Sequence, residues 1–313
     1  MKEIWEYKGL REVYGETLVE LGEENRDIVV LDADLSSSTK TSMFGKKFPD
    51  RFFNMGISEQ DMMGTAAGLA AGGKIPFAST FAMFATGRAW EQIRQSICYP
   101  GLNVKIVTTH SGITVGEDGA THQCIEDIGL MRMLSDMKII VPVDSVETRQ
   151  AIRAVVKENG PYYIRLSRAK FPVLNSDDHQ FKVGKSTILR QGNDITLIGT
   201  GLMVSHCLMA ADILSAKGID ARVINMSTIN PLDTNSIITA AKDTKKIITV
   251  EEHLKFGGLG SAVSECLAEN YPVLIKMMGL TQYGFSDKAE ILLEYFKLMP
   301  KDIVDTSLSL LKE

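Results

Sequence analysis

NVKIVTTHSGITVGEDGATHQ, residues 103–123, begins as a short apolar run and ends as a polar loop punctuated by glycine. The run NVKIVT (103–108) predicts a buried strand, and the loop places His110, Glu117, Asp118 and His122 just beyond it. Parallel α/β sheets build their sites outside the carboxyl ends of strands, so this is the pattern of a site-bearing strand. A long polar loop at such a place is functional more often than not. Working outward, similar apolar runs recur at 27–31 (DIVVL), about 75–79, 138–142 (KIIVP) and 161–166 (PYYIRL). Between them, helix-period segments cover 10–23, 58–71, 84–98, 123–134 and 145–158. That alternation predicts an α/β domain with a parallel or mixed sheet. Ser58 with Asp61, and Asp144 with Glu147, read as capping boxes that start two of the helices.

Periodicity lapses from Arg168 to Gly192, where Pro172 and the polar run NSDDHQ (175–180) mark a crossing between domains. We therefore expect a first domain over 1–170, a linker over 171–192 and a second α/β domain over 193–313. The second domain reads as strands at 195–199, 220–225, 246–250 and 273–277, with helices at 203–217, 234–242, 259–269 and from about 287. The 313 residues are 44% hydrophobic and 23% charged, which excludes a disordered or fibrous chain. The net charge of −5 is interspersed, so the basic footprint of a nucleic-acid binder is missing. Four scattered cysteines point to a reducing, cytoplasmic setting. The start MKEIWEYKG lacks the apolar core of a signal peptide. The most apolar tract, 62–90, is interrupted by Lys74, Pro76 and Arg88 and is not expected to span a membrane.

Three groupings bear on chemistry. Gly199-Thr200-Gly201 stands between a strand and a helix, but Val204 occupies the place of the third glycine of a dinucleotide fingerprint. A steric role for these glycines is the stronger reading. His110, Asp118, His122 and Cys124 match no compact zinc spacing. Glu59 opens a helix of unusually small residues (Gly64, Ala66, Ala67, Gly68, Ala70, Ala71), as expected where another backbone packs closely. Phe81 and Phe84, three apart, are by default core residues of one helix face. From the residues alone, the reading stops at a site containing Glu59 and the His/Asp loop, its chemistry open.

The ordered set NMGISEQ (54–60), STFAMF (79–84), HSGITVGEDGATHQ (110–123) and RLSR (165–168) resembles transketolase, and more narrowly the carboxyl-terminal subunit of a split transketolase. The resemblance implies a pyrimidine-binding domain followed by a transketolase carboxyl-terminal domain, with thiamine diphosphate as cofactor. Glu59 then matches the glutamate that hydrogen-bonds the aminopyrimidine, favouring its imino tautomer. Phe81 and Phe84 match aromatics packing on that ring, and Asp34 matches an aspartate near the cofactor and the dimer interface. Asp118 and His122 match residues that hold sugar hydroxyls; with Glu59 and His110 they make up the implied catalytic set. Arg168, His110, Ser38 and Arg11 match positions around the sugar phosphate.

Departures from the family pattern are Gly87, where a third pyrimidine aromatic is common, Ser111 in place of an Asp, and Ala120 in place of a Pro. The sequence also lacks the GDG run, and has no Asn between Val104 and Glu158, that would anchor a diphosphate and its metal. The resemblance thus implies an amino-terminal partner subunit that holds Mg2+ (or Ca2+), in a two-plus-two heterotetramer with self-association across the pyrimidine domain. The implied reaction is transfer of a two-carbon ketol unit from a ketose phosphate to an aldose phosphate. A 2-oxo acid dehydrogenase beta subunit and a deoxyxylulose phosphate synthase are the enzymatic alternatives; His110 favours transketolase over the latter. A non-catalytic assembly subunit is disfavoured by the intact Glu59, His110, Asp118, His122 and Arg168.

Overall fold

A computed structural model describes residues 5–313. Residues 1–4, the head of the predicted first domain and of the MKEIWEYKG start, lie outside the described residues. The first half supplies strands β1 (Tyr7–Gly9), β2 (Ile28–Asp32), β3 (Phe52–Asn54), β4 (Ile75–Phe81), β5 (Lys105–Thr109), β6 (Lys138–Ile140), β7 (Tyr162–Arg165) and β8 (Lys170–Pro172). The second half supplies β9 (Thr187–Arg190), β10 (Ile195–Gly199), β11 (Ala221–Asn225), β12 (Thr228–Asn230), β13 (Lys246–Leu254) and β14 (Leu274–Leu280). Strands β2 and β5 are buried along their whole length because helices cover both faces of the sheet, which is why they read as unbroken apolar runs.

The first sheet has the order β12-β6-β7-β5-β4-β2-β3, parallel except for β12. The second has the order β14-β13-β10-β11-β9, parallel except for β9. Two mixed-sheet α/β units are thus present, as the alternation of runs and helices predicts. Parts of the segment expected as linker are structured: β8 pairs antiparallel with β1, and β9 forms an edge of the second sheet. Strand β12, from the second half, completes the edge of the first sheet against β6. The largest apolar cluster accordingly runs through both units, from Met131, Ile139 and Val141 to Met226, Ile229 and Ile237.

Three local expectations are corrected. Helix Glu59–Ala71 begins where predicted, but the Ser58 hydroxyl makes no capping hydrogen bond. The segment 84–98 is not one α-helix. It consists of π-helical turns at Phe84–Arg88 and Ile93–Cys98 around a short α-turn at Trp90–Gln92. Between residues 123 and 134 only Asp127–Arg132 is α-helical. Gly199 and Gly201 have the expected steric role: a Cβ on Gly199 would sit 3.0 Å from the Val204 backbone, and Gly201 has φ +55° beside Val141. Among the described residues, no helix is long and apolar enough to cross a membrane.

Candidate active site

The carboxyl ends of five adjacent strands, β7, β5, β4, β2 and β3, lie along one edge of the first sheet. They carry, in that order, Arg168; the loop from His110 to His122; Phe81 and Phe84; Asp34 and Ser38; and Glu59. This is the edge at which parallel sheets hold ligands. His110 follows β5 directly in the left-handed region at φ 57°, which turns the chain sharply out of the sheet. Its ring lies nearly parallel to Phe81 with centroids 3.7 Å apart, and its Nδ1 is 2.8 Å from the Thr109 hydroxyl. Burial pushes the imidazole down to about 3, and the charges of Arg11, Arg168 and His122 act in the same direction. At neutral pH His110 is therefore uncharged, and its ring offers hydrogen bonding without charge. Phe81 and Phe84 stack at 5.8 Å with 18° between planes, and His122 meets both edge-on.

Beside this aromatic row two guanidiniums converge. Arg11 donates from Nη1 to the Ser38 carbonyl at 2.8 Å, while its buried Nε has no partner. Arg168 donates to the Val115 carbonyl at 2.7 Å and lies 3.6 Å from an Asp118 oxygen. Burial depresses the Arg11 pKa, the charge on Glu12 raises it, and the charge on Arg168 lowers it, the last a sign that the two guanidiniums are near. An anion between them would relieve that repulsion and satisfy the orphaned Nε. Ser38 contributes its carbonyl to this arrangement. Asp34 is exposed at the end of β2, at φ 64°, and accepts a hydrogen bond from Asn54 at 3.0 Å.

Glu59 is 2% exposed, yet its Oε2 accepts a hydrogen bond at 2.9 Å from Nη1 of Arg88. The Arg88 guanidinium also rests over the Phe84 ring, 4.7 Å from its centroid. Sequence reading did not single out Arg88; the signal available was its place directly after Gly87, already conspicuous as a missing aromatic.

The second domain fixes the His110–His122 loop in ways no local pattern indicates. The Thr114 amide donates to the buried Glu252 carboxylate of β13 at 2.6 Å, and Arg165 donates to the Glu252 carbonyl at 3.0 Å. Gln123 spans from the Gly116 carbonyl to that of Phe285, and Ser286 donates to the Glu117 carbonyl at 2.6 Å. Gly112 is obligatory here, because a Cβ would lie 2.2 Å from a Glu252 oxygen and φ is +75°.

The ring-and-carboxyl end of this edge fits an aminopyrimidine, since a flat donor already lies on Phe84 and bonds to Glu59. Among the described residues no group of three or more His, Cys, Asp or Glu converges as a metal site.

The family model for the transketolase pyrimidine binding domain matches residues 7–173, and that for the transketolase C-terminal domain matches residues 184–303. The chain belongs to the transketolase family. A transketolase carboxyl-terminal section from Methanocaldococcus jannaschii is 50% identical over 296 residues, covering 93% of each chain. A 6-deoxy-6-sulfo-D-fructose transketolase subunit from Clostridium sp. (strain MSTE9) is 39% identical over 97% of this chain and 94% of its own. Among solved structures, a split-gene transketolase described as an inactive beta4 tetramer superposes with TM-score 0.91 at 49% identity, covering 97% of this chain and 98% of that one. This transketolase chain is therefore a thiamine-diphosphate-class transferase subunit by descent, with the family's two α/β domains.

Proposed function

We propose that this chain is the carboxyl-terminal half of a two-chain transketolase and brings the aminopyrimidine and sugar subsites to a shared active site. The observation that carries this reading is the single row at the sheet edge, from buried Glu59 through Phe84 and Phe81 to neutral His110 and the Arg11–Arg168 pair. When bound, thiamine diphosphate supplies the nucleophilic carbon that carries a two-carbon ketol unit. Phe81 and Phe84 pack on its ring and Glu59 hydrogen-bonds it, with Asp34 nearer the subunit boundary. Asp118 and His122 orient sugar hydroxyls, and His110 hydrogen-bonds the substrate without adding charge. Arg168 and Arg11, anchored through Ser38, hold the phosphate of a ketose or aldose phosphate.

The sequence has no GDG run, so the diphosphate and its Mg2+ (or Ca2+) fall to an amino-terminal partner subunit. A cytoplasmic two-plus-two heterotetramer, self-associating through the pyrimidine domain, is the assembly this reading calls for. The small-sided helix supports it, since ideal Cβ atoms on Gly64 and Gly68 meet nothing within 4 Å and leave an exposed surface open to close packing.

The test is co-purification with a GDG-bearing chain, followed by assay with a panel of phosphorylated and sulfonated ketoses. The complex is expected to transfer ketol units, and Glu59→Gln to lower turnover by about 100-fold or more with assembly unchanged. Full turnover by the isolated chain, or undiminished turnover in the variant, overturns the reading.

A further inference from the structure

Arg88 follows Gly87, the position at which a third aromatic wall is missing. Met83 packs where a Cβ on Gly87 would stand, and the guanidinium of Arg88 lies over the Phe84 ring, 4.7 Å from its centroid. From there it reaches inward: the Arg88 side chain is 48% exposed, whereas the carboxylate it holds at 2.9 Å belongs to a side chain 2% exposed. A guanidinium is flat and cationic, stacks on aromatic faces and donates from N–H groups in its own plane. An aminopyrimidine is held by the same pair of contacts, a ring against its face and a carboxylate at its ring N–H.

We propose that Arg88 is a placeholder for the aminopyrimidine: it fills the Phe84–Glu59 subsite in the cofactor-free chain and is displaced when the cofactor enters. The proposal rests on the thiamine diphosphate reading above. Its physical basis is the cost of leaving a buried carboxylate unpaired, which the ion pair removes while the subsite is empty. The half-exposed Arg88 side chain has a route back to solvent. No backbone needs to move, because rotation about the side-chain bonds withdraws both the stacked face and the donor together.

The test is calorimetric titration of thiamine diphosphate into the assembled two-chain complex, with association rates followed by stopped flow. Arg88→Ala is expected to bind the cofactor about tenfold more tightly and to associate faster. That factor is the worth of one charge-assisted hydrogen bond, discounted for a half-exposed partner. Arg88→Gln, which keeps much of the stem, should shift both quantities the same way and serves if the alanine variant fails to fold. Weaker binding would overturn the proposal and make Arg88 a standing wall of the bound ring's site. Unchanged binding would overturn it as well, by showing that displacement costs nothing. If the wild-type complex binds no thiamine diphosphate, the cofactor reading itself fails.

Discussion

His110 shows how much one residue's surroundings decide. Its ring is clamped against Phe81 and buried, with its usual value of 6.5 pushed down to about 3. Between those two pH values the unfolded chain takes up a proton that the folded chain refuses. This contribution to stability is therefore complete above about pH 6.5 and is lost progressively as pH falls toward 3. His110→Gln should flatten that dependence: its melting temperature should fall less steeply than wild type between roughly pH 7 and pH 4. Identical slopes would mean that the imidazole is not held neutral. The sequence marks His110 as a site candidate through its loop, but its charge state follows from burial and from Arg11 and Arg168, distant in the chain. The pairing of Arg88 lay outside the sequence reading for the same reason, since its partner Glu59 is 29 residues away.

At the scale of elements, the two predicted capping boxes part company. Asp144 accepts the Glu147 amide at 2.8 Å and so caps helix Ser145–Val156, as its spacing predicts. Its other oxygen accepts the amides of Leu174 and Asn175 at 2.9 and 2.7 Å, tying the crossing between domains to this helix. Asp144→Ala strands three amides, at about 1–3 kcal/mol for each one left buried and unpaired. A loss of roughly 3 kcal/mol or more in chemical denaturation is expected, partly recovered by Asp144→Asn. A loss below about 1 kcal/mol would show that water replaces the carboxylate. Ser58 has the right spacing but ψ 62°, away from the extended backbone that aims a capping oxygen at the helix amides. Residue types announce a possible cap; the backbone angle decides whether it forms. The 84–98 segment teaches the same lesson, because apolar spacing cannot distinguish an α-turn from the wider π-turn that brings Arg88 over Phe84.

At the scale of the molecule, the second domain is a brace for the loop at the first domain's edge. Glu252 is buried, accepts the Thr114 amide and lies close to Arg165, which is itself paired with Asp127 at 2.7 Å. Glu252→Ala is expected to cost about 2 kcal/mol and to speed amide hydrogen exchange across 112–119. Glu252→Gln, which keeps an acceptor, should exchange more slowly than the alanine variant. Unaltered exchange in both would mean that the loop holds its shape without the second domain. None of this is legible in the run EEHL (251–254), where the acidic residues look like ordinary polar positions on a strand. Nor does β12 announce itself, since three residues at a sheet edge carry too little periodicity to reveal which sheet they join.

By itself the sequence determined the alternation of strands and helices, the loop after β5 as the site candidate, and the family through four ordered motifs. These follow from local hydrophobic period, turn chemistry and residue order, all of which act over a few positions. Only the tertiary structure decided that Arg88 pairs with Glu59, that Arg11 and Arg168 come near one another, and that Glu252 holds the Thr114 amide from 138 residues away. The reason is physical: burial and pairing of charge depend on which side chains meet in space, and a parallel sheet brings together strand ends that are far apart along the chain.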